Sequence, residues 1–301
     1  MSSTSVETSW PDEMRALCGD TGFFRPLGKE HTAIYVEAGK TLIVTFENLD
    51  HVMERNEDRR PWGFDFINSQ GWSILGMMAH GWTWYRDADV IAFFDELARD
   101  RFFEQFDQVV FYGASMGAYA AAAFSAACPG ATVIAISPQA TLERDIASWE
   151  TRYHKAWIRD FSGHYGYAPA SVTKARKMYL MFDPREPLDA MHAALFQGDN
   201  ITKLKCRFQG HRIASGLIQM KLLKPIITSC VDGTLTPTEF YRMIRARHEL
   251  RRYQRDLLSK IDEKRHPGLV VILAEYVLAR GNGPMFRRKM MAARKRIARR
   301  H

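Results

Sequence analysis

Four short runs of the chain are almost continuously apolar: Thr41–Phe46, Gln108–Tyr112, Ala131–Ile136 and Lys177–Phe182. A strand with one wet face alternates, whereas a strand covered on both faces need not, so these runs predict the buried strands of a parallel sheet. Between them the apolar spacing becomes helical, in Ala88–Arg99, the alanine-rich Met116–Ala127, Leu188–Phe196 and Ala214–Leu223. The strand-then-helix order implies crossover units, and the fold class expected is α/β, a mostly parallel central sheet flanked by helices. Ile201–Phe208 does alternate, as a half-exposed strand near the sheet edge would. Residues 32–37 and 41–46, separated by Ala-Gly-Lys, read as a hairpin or a strand pair.

Two long intervals interrupt this pattern. Residues 47–87 are rich in aromatics, among them Trp62, Trp72, Trp82 and Trp84, with one strand-like piece at Phe64–Asn68. Residues 139–176 join two predicted strands and are too long for an ordinary loop, so they read as a small cap over the carboxyl edge of the sheet. Beyond about residue 231 the strand pattern stops and three helices are predicted. Thr236-Pro237-Thr238-Glu239 has the capping-box arrangement, and an apolar stripe from Phe240 through Leu250 and Leu257 to Ile261 predicts one long helix behind it. Pro267 opens the second helix and Pro284 the third, with Gly281-Asn282-Gly283 between them. The chain thus divides into an N-terminal segment 1–29, a body 30–230 carrying the cap, and a helical extension 231–301.

Hydrophobic residues make up 46% of the 301 and charged residues 25%, which excludes a disordered or fibrous chain. No run approaches the roughly 18 apolar residues of a membrane span. The first 19 residues are polar where a signal peptide would be apolar, so the expectation is a soluble, cytoplasmic protein. Cys18, Cys128, Cys206 and Cys230 are widely spaced and are expected as reduced, mostly buried thiols. The net charge of +8 has a local origin. Residues 287–301 hold eight Lys and Arg and no acid. Without them the Lys and Arg number 34, matching the 34 Asp and Glu. The basic tail reads either as a solvated helix end or as a site for an anionic partner: an acidic protein, a lipid surface or a nucleic acid.

The sharpest chemical signal is Gly113-Ala114-Ser115-Met116-Gly117, set between a predicted strand and a predicted helix. A Gly-x-Ser-x-Gly turn in that setting lifts the serine hydroxyl to a helix N-terminus, with the glycines removing side chains that would collide across it. A serine needs a base, and the base needs an orienting carboxylate. Asp183 follows the strand Lys177–Phe182 and His211 follows Gly210 after the strand Ile201–Phe208, so both stand at the carboxyl rim of the sheet, where ligands bind. Asp189 is the alternative acid if the strand ends later, with Asp183 then capping the next helix. His192 and His164 are the alternative histidines, read as structural or surface residues.

Taken together these residues resemble the α/β-hydrolase superfamily over roughly residues 30–225. Asp183 to Pro187 fits the superfamily's Asp-x-x-x-Pro acid loop, and Gly210-His211 its histidine loop. The resemblance implies Ser115 as nucleophile, His211 as base and Asp183 as acid. It implies oxyanion donors from the backbone of Met116 and from Glu47 or Asn48, although the His-Gly that many relatives carry there is missing. The function expected is hydrolysis of a small-molecule carboxylic ester, thioester or amide through an acyl-enzyme on Ser115. Acyl transfer with the same residues, and a non-catalytic binding module docking through its C-terminal helices, are the alternatives. No cofactor and no metal are expected, because no histidine pair or cysteine cluster has zinc spacing and Gly281-Asn-Gly-Pro lacks the end of a P-loop. Ile226–Leu235 looks like a haloacid-dehalogenase signature, but Cys230 stands where the nucleophilic aspartate would be.

Overall fold

The computed structural model describes residues 9–47 and 59–299. An eight-stranded sheet runs through the body in the order β1-β2-β4-β3-β5-β6-β7-β8. The strands are β1 (Phe23–Leu27), β2 (His31–Val36), β3 (Thr41–Phe46), β4 (Ser73–Ala79), β5 (Gln108–Ala114), β6 (Thr132–Ile136), β7 (Lys177–Phe182) and β8 (Ile201–Lys205). The pairs β1–β2 and β2–β4 are antiparallel and all the others are parallel. The α/β class and the four apolar runs are therefore as the residue pattern implies. The expected hairpin is not: β4 lies between β2 and β3, so the Ala-Gly-Lys link joins strands that are not neighbours.

Strand side chains alternate between two buried layers. Leu42, Val44, Phe46, Phe111, Val133 and Leu180 belong to one, while Ile43, Val110, Tyr112, Ile134 and Met181 belong to the other. Neither face is left to water, which is why the strands read as apolar runs. The first layer is closed by α3 (Ala88–Arg99) and α4 (Met116–Phe124). Every residue of α4 is buried, and its alanines bring the helix close to the sheet. The second layer is closed by α2 (Phe64–Ser69), α8 (Ile213–Gln219) and α9 (Leu223–Val231).

Several expectations need correction. Phe64–Asn68 is helical, because Phe64 and Ile67 sit one helical turn apart against the sheet rather than alternating across it. The true strand of that interval, β4, lies nine residues later, and β1 and the helix α1 (Trp10–Cys18) precede the expected start of the body. The stretch containing Cys230 is a helix, α9, with the thiol buried. Residues 137–176 contain only short helices, α5 (Arg144–Ala147) and α6 (Ala168–Ser171) with single 3-10 turns. Tyr153, Ala156, Phe161, Tyr165 and Val172 of this segment join the same core as α3 and α4. Tyr119 of α4 donates its hydroxyl to the Tyr165 carbonyl at 2.9 Å, tying the segment to the body.

At the C-terminal end, Thr236 caps α10 (Pro237–Met243) by accepting from the Glu239 amide, as the capping box implies. The long helix expected behind it breaks into α10, a 3-10 stretch and α11 (Arg251–Ser259), with Leu250 extended between them. Tyr241 accepts the Lys205 amide at 3.0 Å, so α10 covers part of the open edge of β8. Helices α12 (Pro267–Leu278) and α13 (Pro284–Ala298) pack together around their own small core of Val270, Ala274, Val277, Phe286 and Ala293. Among the described residues no helix is long and apolar enough to cross a membrane.

Candidate active site

Ser115 occupies the turn between β5 and α4 with φ +52° and ψ −119°, a conformation that costs a non-glycine residue strain energy. The two flanking glycines explain how the turn closes. A Cβ at Gly113 would lie 2.1 Å from the Gly117 carbonyl oxygen, and one at Gly117 would lie 2.3 Å from the Phe46 carbonyl oxygen. Helix α4 can approach both its own strand and β3 only if neither position carries a side chain. The Ser115 amide is held by the Ile136 carbonyl at 2.8 Å, so β6 braces the turn.

The loop after β8 delivers His211 to this serine. Ser115 Oγ and His211 Nε2 are 2.9 Å apart, across 96 residues of chain. Gly210, at φ +67°, makes the left-handed turn that aims the ring, and Ser137 Oγ donates to the His211 carbonyl at 2.9 Å. On the far side of the ring, Nδ1 lies 2.8 Å from Asp189 Oδ2 and 3.0 Å from Oδ1. A carboxylate at Nδ1 places the ring proton there and leaves the Nε2 lone pair for the serine hydroxyl.

The carboxylate against His211 is therefore Asp189 and not Asp183. Asp183 is buried, and each of its oxygens accepts a backbone amide: Arg185 at 2.9 Å and Gly210 at 2.8 Å. It fastens the histidine loop to the loop after β7 instead of facing the imidazole. Asp189 stands in the first turn of α7 (Pro187–Leu195), where the unpaired amides of a helix N-terminus favour a negative charge. Burial pushes its carboxyl up, but the His211 hydrogen bond and the Arg152 guanidinium together hold it below the ordinary aspartate range.

Of the oxyanion donors that the resemblance implies, Met116 is the first residue of α4, so its N–H has no acceptor within the helix. Glu47 is different: its amide is engaged by the Met77 carbonyl at 3.3 Å, and its buried carboxylate pairs with Arg59 and accepts the Ala79 amide. Burial pushes that carboxyl up, against the pull of Arg59. Asn48 lies outside the described residues.

The strand order, with its serine turn on β5 and its histidine loop after β8, decides the architecture. The chain has the α/β-hydrolase fold. Solved structures similar to it include the esterase Pf2001 of Pyrococcus furiosus, at 14% identity and TM-score 0.48 over 70% of this chain and 89% of that one. Carboxyl esterase 2 of Tuber melanosporum matches at 13% and 0.45 over 75% and 84%. The capsule O-acetyltransferase of Neisseria meningitidis serogroup A matches at 13% and 0.43 over 71% and 98%. No protein-family model and no curated relative matches the chain.

Residues 150–153 add side chains that the sequence motifs did not single out. Tyr153 is buried, packs against Trp84 with ring centroids 5.0 Å apart, and brings its hydroxyl to 3.2 Å from His211 Nε2. Burial pushes its phenol up to about 12, so it is a neutral donor near neutral pH. Arg152 Nη1 donates to Asp189 Oδ1 at 2.7 Å, while its Nη2 reaches the buried Glu150 at 2.6 Å. His192, an alternative base in the sequence, is buried against Glu150 at 3.1 Å and accepts the Ala140 amide on Nδ1. His164 lies on the surface beside Asp95. No periodicity or motif marks Arg152 and Tyr153; the only sequence signal is a connection too long to be idle.

Among the described residues there is no cluster of His, Cys, Asp and Glu able to hold a metal ion. In the basic tail, Arg294 pairs with Glu275 of α12 and Lys289 with Glu263 in the turn before α12.

Proposed function

We propose that this protein is a serine hydrolase that cleaves a carboxylic ester, thioester or amide through an acyl-enzyme on Ser115. The observation that carries the reading is the unbroken relay from Ser115 Oγ to His211 Nε2 and from His211 Nδ1 to Asp189, with separations of 2.9 and 2.8 Å. His211 removes the hydroxyl proton as Ser115 attacks the acyl carbon, then returns it to the leaving group. Asp189, ionised by its surroundings, stabilises the imidazolium formed in between. The amide of Met116 donates to the developing oxyanion. The Tyr153 hydroxyl, which shares Nε2 with Ser115 in the free site, turns to a substrate oxygen when substrate enters. Water then repeats the cycle on the acyl-enzyme.

The test is covalent labelling with a fluorophosphonate, with the adduct mapped by mass spectrometry. The wild type should take one phosphonyl group on Ser115 and S115A none at that position. Equal labelling of both proteins would refute the assignment.

A further inference from the structure

The acid of the proposed relay has a second partner, and that partner belongs to a buried island of charge. Arg152 keeps its side chain about one quarter exposed, whereas those of Glu150 and Asp189 are almost fully enclosed. Its guanidinium is fully directed: Nη1 on Asp189 at 2.7 Å, Nη2 on Glu150 Oε2 at 2.6 Å and Nε on Glu150 Oε1 at 3.0 Å. His192 accepts the Ala140 amide on Nδ1, so its proton sits on Nε2 and points at Glu150. A neutral His192 fits this arrangement. The island then holds two carboxylates, one guanidinium and the imidazole of His211.

We propose that Arg152 is a positioning residue: it orients the Asp189 carboxylate toward His211 Nδ1 and offsets the surplus negative charge of Asp189 and Glu150. The proposal rests on the hydrolase reading above. The physical argument is one of sign and geometry. Asp189 meets His211 and Glu150 meets His192, and one guanidinium bonded to both carboxylates offsets part of their negative charge. The same fork fixes the Asp189 carboxylate so that its Oδ2 meets Nδ1, which a single monodentate acid on a helix turn does not guarantee.

Among the described residues, other polar groups also lie close to His211. Ser115 and Tyr153 face Nε2. Asp183 is bonded to the Gly210 amide, and Ser137 to the His211 carbonyl. Arg185 stacks on Phe208 in the loop before the histidine, and Arg252 of α11 approaches Gly210 from outside. Arg212 is the neighbour on the chain. Arg152 is a cation bonded to the acid itself.

The experiment compares wild type with R152M, R152K and E150Q. It reads the acid limb of kcat/KM on a short-chain p-nitrophenyl ester and, separately, the titration of the His211 imidazole by NMR. R152M should move both to higher pH by about one unit. E150Q, which removes a negative charge and keeps hydrogen-bonding capacity, should move both to lower pH. R152K keeps the charge, so its acid limb stays near wild type while kcat falls about tenfold with little change in KM. Opposite shifts in R152M and E150Q support the proposal; if R152M folds too poorly to assay, a downward shift in E150Q beside an unmoved limb and a lowered kcat in R152K supports it. A limb and titration that stay fixed, or that move the same way in both variants, overturn it. The NMR readout separates the two readings: a wild type that fluorophosphonate does not label sinks the hydrolase assignment, whereas an unmoved imidazole titration sinks only the role of Arg152.

Discussion

The turn carrying Ser115 and the segment 137–176 meet at one imidazole, yet they reach it by different means. The turn is local. Two glycines, one strand and one helix within ten residues fix the serine, and the reason can be written as two forbidden Cβ positions, 2.1 and 2.3 Å from backbone oxygen. The segment is tertiary. Arg152 and Tyr153 come into place because Tyr153, Phe161, Tyr165 and Val172 are buried in the common core and Tyr119 grips the segment from α4. A site can thus combine a part specified by steric exclusion with a part specified only by burial.

The contrast predicts different failures when each side is cut. Gly117→Ala should be the most damaging, since its new methyl meets the Phe46 carbonyl and α4 must lift from β3. A loss of about 3 kcal/mol or more of stability is expected, read as a fall in the denaturant midpoint, together with loss of fluorophosphonate labelling. A variant as stable as wild type would show that the close approach is dispensable. Tyr153→Phe should act on rate alone, because the ring stays packed on Trp84 and only the hydroxyl goes. A fall of about tenfold in kcat is expected from one lost hydrogen bond, with the midpoint nearly unchanged. An unchanged kcat would mean that Tyr153 is a wall of the site and does not bond substrate.

The same contrast explains what could be read in the sequence. The sheet was legible because burial on both faces erases alternation, and α4 because its alanines and glycines answer a steric need within a few residues. The meeting of Ser115 and His211 was legible for the same reason: each lies at a glycine-marked strand exit. The carboxylate beside the imidazole was not. Asp183 and Asp189 are six residues apart and both are buried, and the motif Asp-x-x-x-Pro points to the first. The structure separates them by what else needs a partner: the Arg185 and Gly210 amides take Asp183, leaving Asp189 on the first turn of α7 to face the imidazole. That pairing joins a carboxylate to a backbone amide 27 residues away, which no local pattern records. The misread strand at Phe64–Asn68 has a similar origin, because five residues are too few to separate a period of two from one of 3.6. β4 was hidden in an aromatic-rich interval, and its insertion between β2 and β3 is a choice of partner that short connecting residues do not reveal.

The account turns on Asp189, and the second-order rate of Ser115 labelling by a fluorophosphonate in D189N and D183N tests it most directly. D189N should label about a thousandfold more slowly than wild type, because an amide at Nδ1 no longer fixes the tautomer or supports the imidazolium. The folded fraction of D183N should label within about tenfold of wild type, since that residue holds a loop and does not touch the ring. Slower labelling in D183N than in D189N, or wild-type rates in both, would contradict the account.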